Sequence, residues 1–203
     1  MYQRVMHRQL NLVIIPSTEP LTVNEAKAHL RVENDTEDDY IAALIETARA
    51  HLDGRDGWLS RALMTQTWDY TLDAFPMEEW ICLPLPPVQS ITSITYKDVN
   101  GNAQTFNASN YSLSADKHWK PRVHLAATAS WPGTWNAPEA VTIRTINGYG
   151  GTVEDVPAPI KQALLLLIGH WYENRETVTL DGVPQEMPLA VEALLEPYMV
   201  TAF

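Results

Sequence analysis

Five places in this sequence hold residue types that carry chemistry in other proteins. His170 and Glu173 stand three apart in a helix-forming stretch, so their side chains share a face and could hold one metal ion. A metal needs three or four ligands, and His7, His29, His51, His118 and His124 are scattered without ligand spacing. Packing is the simpler account of the pair. Asp35, Glu37, Asp39 and Glu46 imitate positions one, three, five and twelve of a calcium loop, but position six is Tyr40 where the sharp turn requires glycine. An acidic helix start explains them better, because carboxylates favour the positive end of the helix dipole. Gly148-Tyr149-Gly150-Gly151 precedes a helix as a phosphate loop does, yet it lacks the Gly-Lys-Ser/Thr ending. Ser130 sits in Ala-Ser-Trp-Pro-Gly, not in the glycine-flanked elbow that exposes a nucleophile. Cys82, the single cysteine, lies in the apolar run Trp80-Ile81-Cys82-Leu83 and reads as a buried structural thiol. No catalytic set, metal site or cofactor is implied, and the expectation is a protein that is not an enzyme.

Composition narrows the remaining classes. The 203 residues are 45% hydrophobic and 19% charged, enough apolar material for a real core. No apolar run reaches the length of a membrane span. One cysteine forbids an internal disulfide and is compatible with a reducing compartment. The net charge is −11, unevenly placed: residues 21–57 carry −5 and residues 153–203 carry −6, whereas residues 58–152 carry −1. Affinity for nucleic acid comes mostly from basic side chains that displace counterions, so a chain this acidic does not grip DNA directly. Seven Trp and eight Tyr leave room for stacking on sugars, with Trp119, Trp131 and Trp135 near loops of the strand-rich middle. Core packing and protein contacts use the same residues.

The elements that must position these residues follow from periodicity. Thr22-Val-Asn-Glu25 is a capping box, and Val23, Ala26 and Leu30 follow on one helical face. Thr36 with Asp39 is a candidate cap for a second helix, in which Tyr40, Ile41, Leu44, Ile45, Ala48 and Leu52 recur at helical spacing before Gly54 and Gly57. From Thr65 the period becomes two: Trp68, Tyr70 and Leu72 alternate with polar residues. Strands are expected at Val88–Lys97, Ala103–Phe106, Tyr111–Leu113, Arg122–Leu125 and Ala140–Ile146, with a tight turn at Asp98-Val-Asn-Gly101. Pro157 and Pro159 open a third helix through Ile160, Ala163, Leu164, Leu167, Ile168, Trp171 and Tyr172. A loop with Asp181-Gly182 leads to a last helix near Pro188, with Val191, Leu194 and Leu195 inward. The apolar stripes at the two ends of the chain need partners, and the economical arrangement packs them on each other. The fold class expected is therefore α+β. N- and C-terminal helices (21–63 plus 152–203) form a helical core, an antiparallel β-sandwich or barrel-like domain (64–151) is inserted, and residues 1–20 form an extended arm.

The order and spacing of several segments resemble one known family. These are Leu21-Thr-Val-Asn-Glu-Ala-Lys-Ala-His-Leu-Arg-Val32, the helix opening at Asp38-Asp39-Tyr40-Ile41, and Leu63-Met-Thr-Gln-Thr-Trp68. Leu83-Pro-Leu-Pro-Pro-Val-Gln-Ser-Ile-Thr-Ser-Ile-Thr-Tyr96, Gly148-Tyr-Gly150 and Val156-Pro157 follow. The strongest are Lys161-Gln-Ala-Leu-Leu-Leu-Leu with His170-Trp-Tyr-Glu-Asn-Arg-Glu176, closing on Leu194-Leu195-Glu196-Pro197-Tyr198. Together they resemble the head–tail connector (adaptor) family of tailed double-stranded DNA phages over nearly all of residues 21–198.

The resemblance implies a helical connector core with a β insertion, and a structural virion protein. Copies would form a ring, twelvefold in the virion, under the portal protein, and offer a platform to a tail or stopper protein. DNA would pass through without specific binding, and no membrane would be involved. The place is the head–tail interface, reached from the host cytoplasm during assembly. A tail or baseplate protein, or a carbohydrate-binding β domain, is the alternative. Candidate subunit or portal contacts are Leu10, Val13, Ile14 and Ile15 of the arm, with Trp131, Trp135 and Arg175. For Arg175 an ion pair within the chain is an equal alternative. Candidate channel-facing acids are Glu33, Asp35, Glu37 and Asp38, which would repel passing DNA.

Overall fold

The computed structural model describes residues 8–116, 118–175 and 188–200. Strand β1 (Arg8–Ile14) precedes helices α1 (Val23–Leu30) and α2 (Asp38–Leu52). Seven strands follow: β2 (Gln66–Leu72), β3 (Trp80–Cys82), β4 (Val88–Lys97), β5 (Ala103–Thr105), β6 (Tyr111–Leu113), β7 (Arg122–Leu125) and β8 (Val141–Asn147). Helices α3 (Ala158–Glu173) and α4 (Leu189–Leu195) come last. The chain is α+β with antiparallel sheets, and it divides into two compact units. One contains the described residues through Pro16 with Thr65–Gly148; the other contains Ser17–Met64 and the described residues from Tyr149 on.

In the helical unit, α1 starts where its capping box is built. The Glu25 amide donates to the Thr22 hydroxyl (3.1 Å) and the Thr22 amide donates to the Glu25 carboxylate (2.8 Å). Burial pushes the Glu25 carboxyl up, but hydrogen bonds from Lys161 and Thr22 outweigh it, and the group lies below its ordinary value. Lys161 reaches it at 2.6 Å, tying α3 to the start of α1. The expected Thr36/Asp39 cap on α2 does not form. The Thr36 hydroxyl and amide both turn back to the Asn34 side chain, and α2 begins after Glu37 with no side-chain cap. Ile41, Leu44, Ile45, Ala48 and Leu52 of α2 are buried with Ile160, Ala163, Leu164, Leu167 and Ile168 of α3 and Val191 and Leu195 of α4. The two ends of the chain thus share one core. Arg61 is buried beside it, its Nε donating to the Tyr198 carbonyl at 2.5 Å, and the Val200 amide donates to the Leu59 carbonyl.

In the strand unit, five strands are ordered β1-β2-β8-β4-β5 and three are ordered β3-β7-β6. Neither sheet closes into a barrel. Tyr70, Leu72, Ile94, Val141 and Ile143 of the larger sheet share a core with Ile81 and Val123 of the smaller one. The alternation read at Trp68, Tyr70 and Leu72 puts all three inside. Two strands go beyond the expected set. β1 pairs antiparallel with β2, Arg8 opposite Leu72 and Leu12 opposite Trp68, with a register shift between Leu12 and Ile14. β3 pairs with β7, Ile81 opposite Val123.

Candidate assembly surfaces

Among the described residues no convergent set of reactive groups is found. Among the described residues no cluster of three or more His, Cys, Asp or Glu is placed to hold a metal. His170 and Glu173 line a shallow surface groove with His29, Arg31 and Leu166. Among the described residues no helix is long and apolar enough to cross a membrane. Cys82 is half-buried and lines a cleft, where the sequence suggested a wholly buried thiol. What the molecule does present is surface, in four places.

The first is β1. Leu10 packs against the strand-unit core, while Val13, Ile14 and Ile15 are exposed, Ile15 to 70%. Within the segment read as an extended arm, Arg8–Ile14 forms an edge strand of its own chain's sheet. One side of its backbone is taken by β2 and the other edge is open.

The second is the junction of α2 and α3. The Arg175 guanidinium lies over the rings of Tyr40 (4.6 Å) and Tyr172 (4.9 Å) and donates to Glu37 at 2.6 Å. The Tyr172 hydroxyl also donates to Glu37. Hydrogen bonds from Tyr172 and then Arg175 hold the Glu37 carboxyl below its ordinary value, and the same bond raises the Tyr172 hydroxyl. Arg175 thus fastens the end of α3 to the start of α2 within the chain, and its side chain stays half exposed. Glu176 and the Asp181-Gly182 loop lie outside the described residues.

The third is the acidic turn before α2. Lys27 bonds Asp35 at 2.5 Å and Asp38 at 2.7 Å, and Glu37 is held by Arg175. Glu33 is exposed. Three of the four candidate channel acids thus face a cation of their own helical unit, which weakens the field they can project.

The fourth is aromatic. Trp131 stacks flat on Phe75 (4.8 Å between centroids), approaches Phe106, and donates its indole N–H to the Glu78 carbonyl at 2.8 Å. It packs against the strand-unit core and is half-buried there. Trp135 is different. Exposed to 42%, it lies against Gly101 in the β4–β5 turn, its ring 3.2 Å from where a Cβ on that glycine would stand. The cleft beside Cys82 and this turn are two further apolar surface features of the strand unit, and neither is legible from residue type alone.

Comparison with known proteins gives these surfaces a context. Residues 20–113 match the profile of the family described as Phage gp6-like head-tail connector protein. A protein from the virion of a native gene transfer agent particle has the same fold, with a TM-score of 0.75 and 26% identity over 96% of this chain and 97% of that one. One from the neck of an empty gene transfer agent particle, in a structure with C6 symmetry, gives 0.74 and 27% over the same shares. A third, from the neck of a native particle with C12 symmetry, gives 0.69 and 24% and shares the fold. No curated protein sequence matches the chain.

Proposed function

We propose, from the match of residues 20–113 to the gp6-like head–tail connector family, that this chain is a structural connector subunit of a virion neck, assembled as a ring. The observation that carries the reading is the whole-chain likeness at 26–27% identity to proteins of a virion and a sixfold neck. It extends through α3 and α4, beyond the family match, so the entire architecture is that of a neck component. A closed ring needs two different faces on each subunit that meet around a rotation axis.

Several finer statements complete the reading. The ring is twelvefold in the virion, docks beneath a portal protein and presents its far side to a tail or stopper protein, while DNA passes through without specific binding. The chain performs no catalysis. It divides into a helical connector core and a two-sheet sandwich inserted into it. The shared core of the terminal helices and the separate core of the strands support that division. The acidic helical unit turns Glu33 and the paired Asp35, Glu37 and Asp38 toward the channel, where the surplus of negative charge repels the DNA backbone. β1, with Ile14 and Ile15 exposed, meets a neighbouring subunit or the portal along its open edge. Co-purification of the full chain with its portal protein, followed by electron microscopy, tests the role. A ring stacked coaxially on the portal is expected, and a chain that neither binds the portal nor closes into a ring would overturn it.

A further inference from the structure

The strand unit carries an apolar hollow and an apolar projection at opposite ends of one row of residues. Arg8 of β1 pairs with Leu72, Leu72 with Val141, Val141 with Tyr96, and Tyr96 with Gln104 of β5, so one line crosses all five strands. At the β1 end lies a cleft of about 280 Å³ between the two sheets' edge strands, lined by Arg8, Tyr70, Leu72, Trp80, Ile81 and Cys82. Its walls are held: Arg122 of β7 places its guanidinium 4.4 Å over the Trp80 ring, and Tyr70 is 6% exposed.

Beyond the β5 end of the row, three residues on from Tyr96, stands the turn between β4 and β5. Asp98 organises it, one carboxylate oxygen accepting from the amides of Asn100 (2.9 Å) and Asn102 (3.0 Å), while Gly101 takes φ +85°. Trp135 braces the turn from behind, its amide donating to the Lys97 carbonyl at 2.9 Å. Val99 stands at the tip, 63% exposed. A held turn that exposes an apolar side chain and a tryptophan loses little entropy on docking, which is what a central contact requires. Four strand spacings of about 4.8 Å put about 19 Å between β1 and β5 along that row.

We propose that in the ring the Val99 tip of each subunit, backed by Trp135, seats in the Tyr70–Trp80–Cys82 cleft of its neighbour. The inference rests on the ring reading above. In a ring of six or more subunits, neighbours turn by about 60° or less, so the two contact surfaces of one subunit are different and lie about 120° or more apart around it. The hollow and the projection satisfy that requirement. They differ from each other, lie at opposite edges of one rigid sheet, and match in apolar character. A two-fold dimer would instead need one patch that pairs with itself.

Cys82, the only cysteine, makes the contact directly testable. A Val99→Cys chain is allowed to form rings, or necks with its portal, and then mild oxidant is added. Inter-subunit disulfides require Cα atoms within about 7 Å, so a ladder of covalent dimers, trimers and higher species is expected only if tip and cleft meet. Adding Cys82→Ala to the same chain should abolish the ladder. Val99→Asp should raise the concentration needed for ring closure about tenfold or more while the isolated chain keeps its fold. Rings that form without a ladder, or a Val99→Cys thiol that couples to the portal instead of Cys82, would overturn the contact and leave the ring reading intact. Absence of any ring in the unaltered chain would remove the ring reading and this contact with it.

Discussion

Leu164→Ala probes the step on which the architecture depends, the burial of α3 among helices drawn from the other end of the sequence. Leu164 is fully buried in the core that includes Leu21, Ile41, Ile45 and Val191. Truncation removes three carbon-sized groups from that site, about 2 kcal/mol of lost transfer energy at ~0.8 kcal/mol each. The cavity left among four helices adds to it, so the total should be about 3–4 kcal/mol. With a urea slope of about 2 kcal/mol/M, the unfolding midpoint of the helical unit should fall by about 1.5–2 M. Far-UV circular dichroism at the helical band reads that transition. Leu189→Ala is the matched control, because Leu189 is 83% exposed, and it should cost under about 0.5 kcal/mol. Equal midpoints for the two variants would show that α3 is not central to the core, and the account of the helical unit would fail.

Acid should loosen the α2–α3 junction. The Glu37 carboxyl is held below its ordinary value of 4.5 by Tyr172 and Arg175, so the folded chain binds that proton less readily than the unfolded one. Its contribution is therefore complete above about pH 4.5 and is lost as pH falls through the depressed value. Glu37→Gln should flatten that part of the urea-midpoint profile against pH, and an unchanged profile would show that the junction does not depend on the charge. A chain lacking residues 1–14 should unfold its strand unit more easily by at least about 2 kcal/mol, because β2 loses its hydrogen-bonded partner and becomes the edge. Thermal melting checks this, and an unaltered melt would mean that β1 adds nothing in its own chain.

Periodicity made most of the fold legible. The capping box at Thr22, the helical spacing from Ile41 to Leu52 and the alternation at Trp68, Tyr70 and Leu72 each became the element they indicate. Two strands escaped for identifiable reasons. Gln9, Leu10, Asn11 and Leu12 do alternate, but Val13, Ile14 and Ile15 break the pattern where the register with β2 shifts. Trp80–Cys82 is three residues long and runs into prolines, too short for any period to declare itself. The α2 cap was misplaced because Thr36 had a nearer partner in Asn34, a local competition that residue type does not rank.

The surfaces were harder to see than the fold. Trp131 and Trp135 are equivalent in sequence, yet the first is stacked on Phe75 and the second is exposed beside Gly101. The ion pair open to Arg175 forms with Glu37, and the rings of Tyr40 and Tyr172 that lie under its guanidinium come from two helices that only the fold brings together. The cleft beside Cys82 joins residues from β1, β2 and β3, two of which are the strands outside the expected set.

Electron microscopy of the chain, alone over a range of concentrations and mixed with the portal protein that the proposed role requires, addresses the connector role at its root. Closed rings with sixfold or twelvefold symmetry, seated coaxially on the portal, are the predicted outcome. Particles that remain single subunits at every concentration and never join the portal would contradict it.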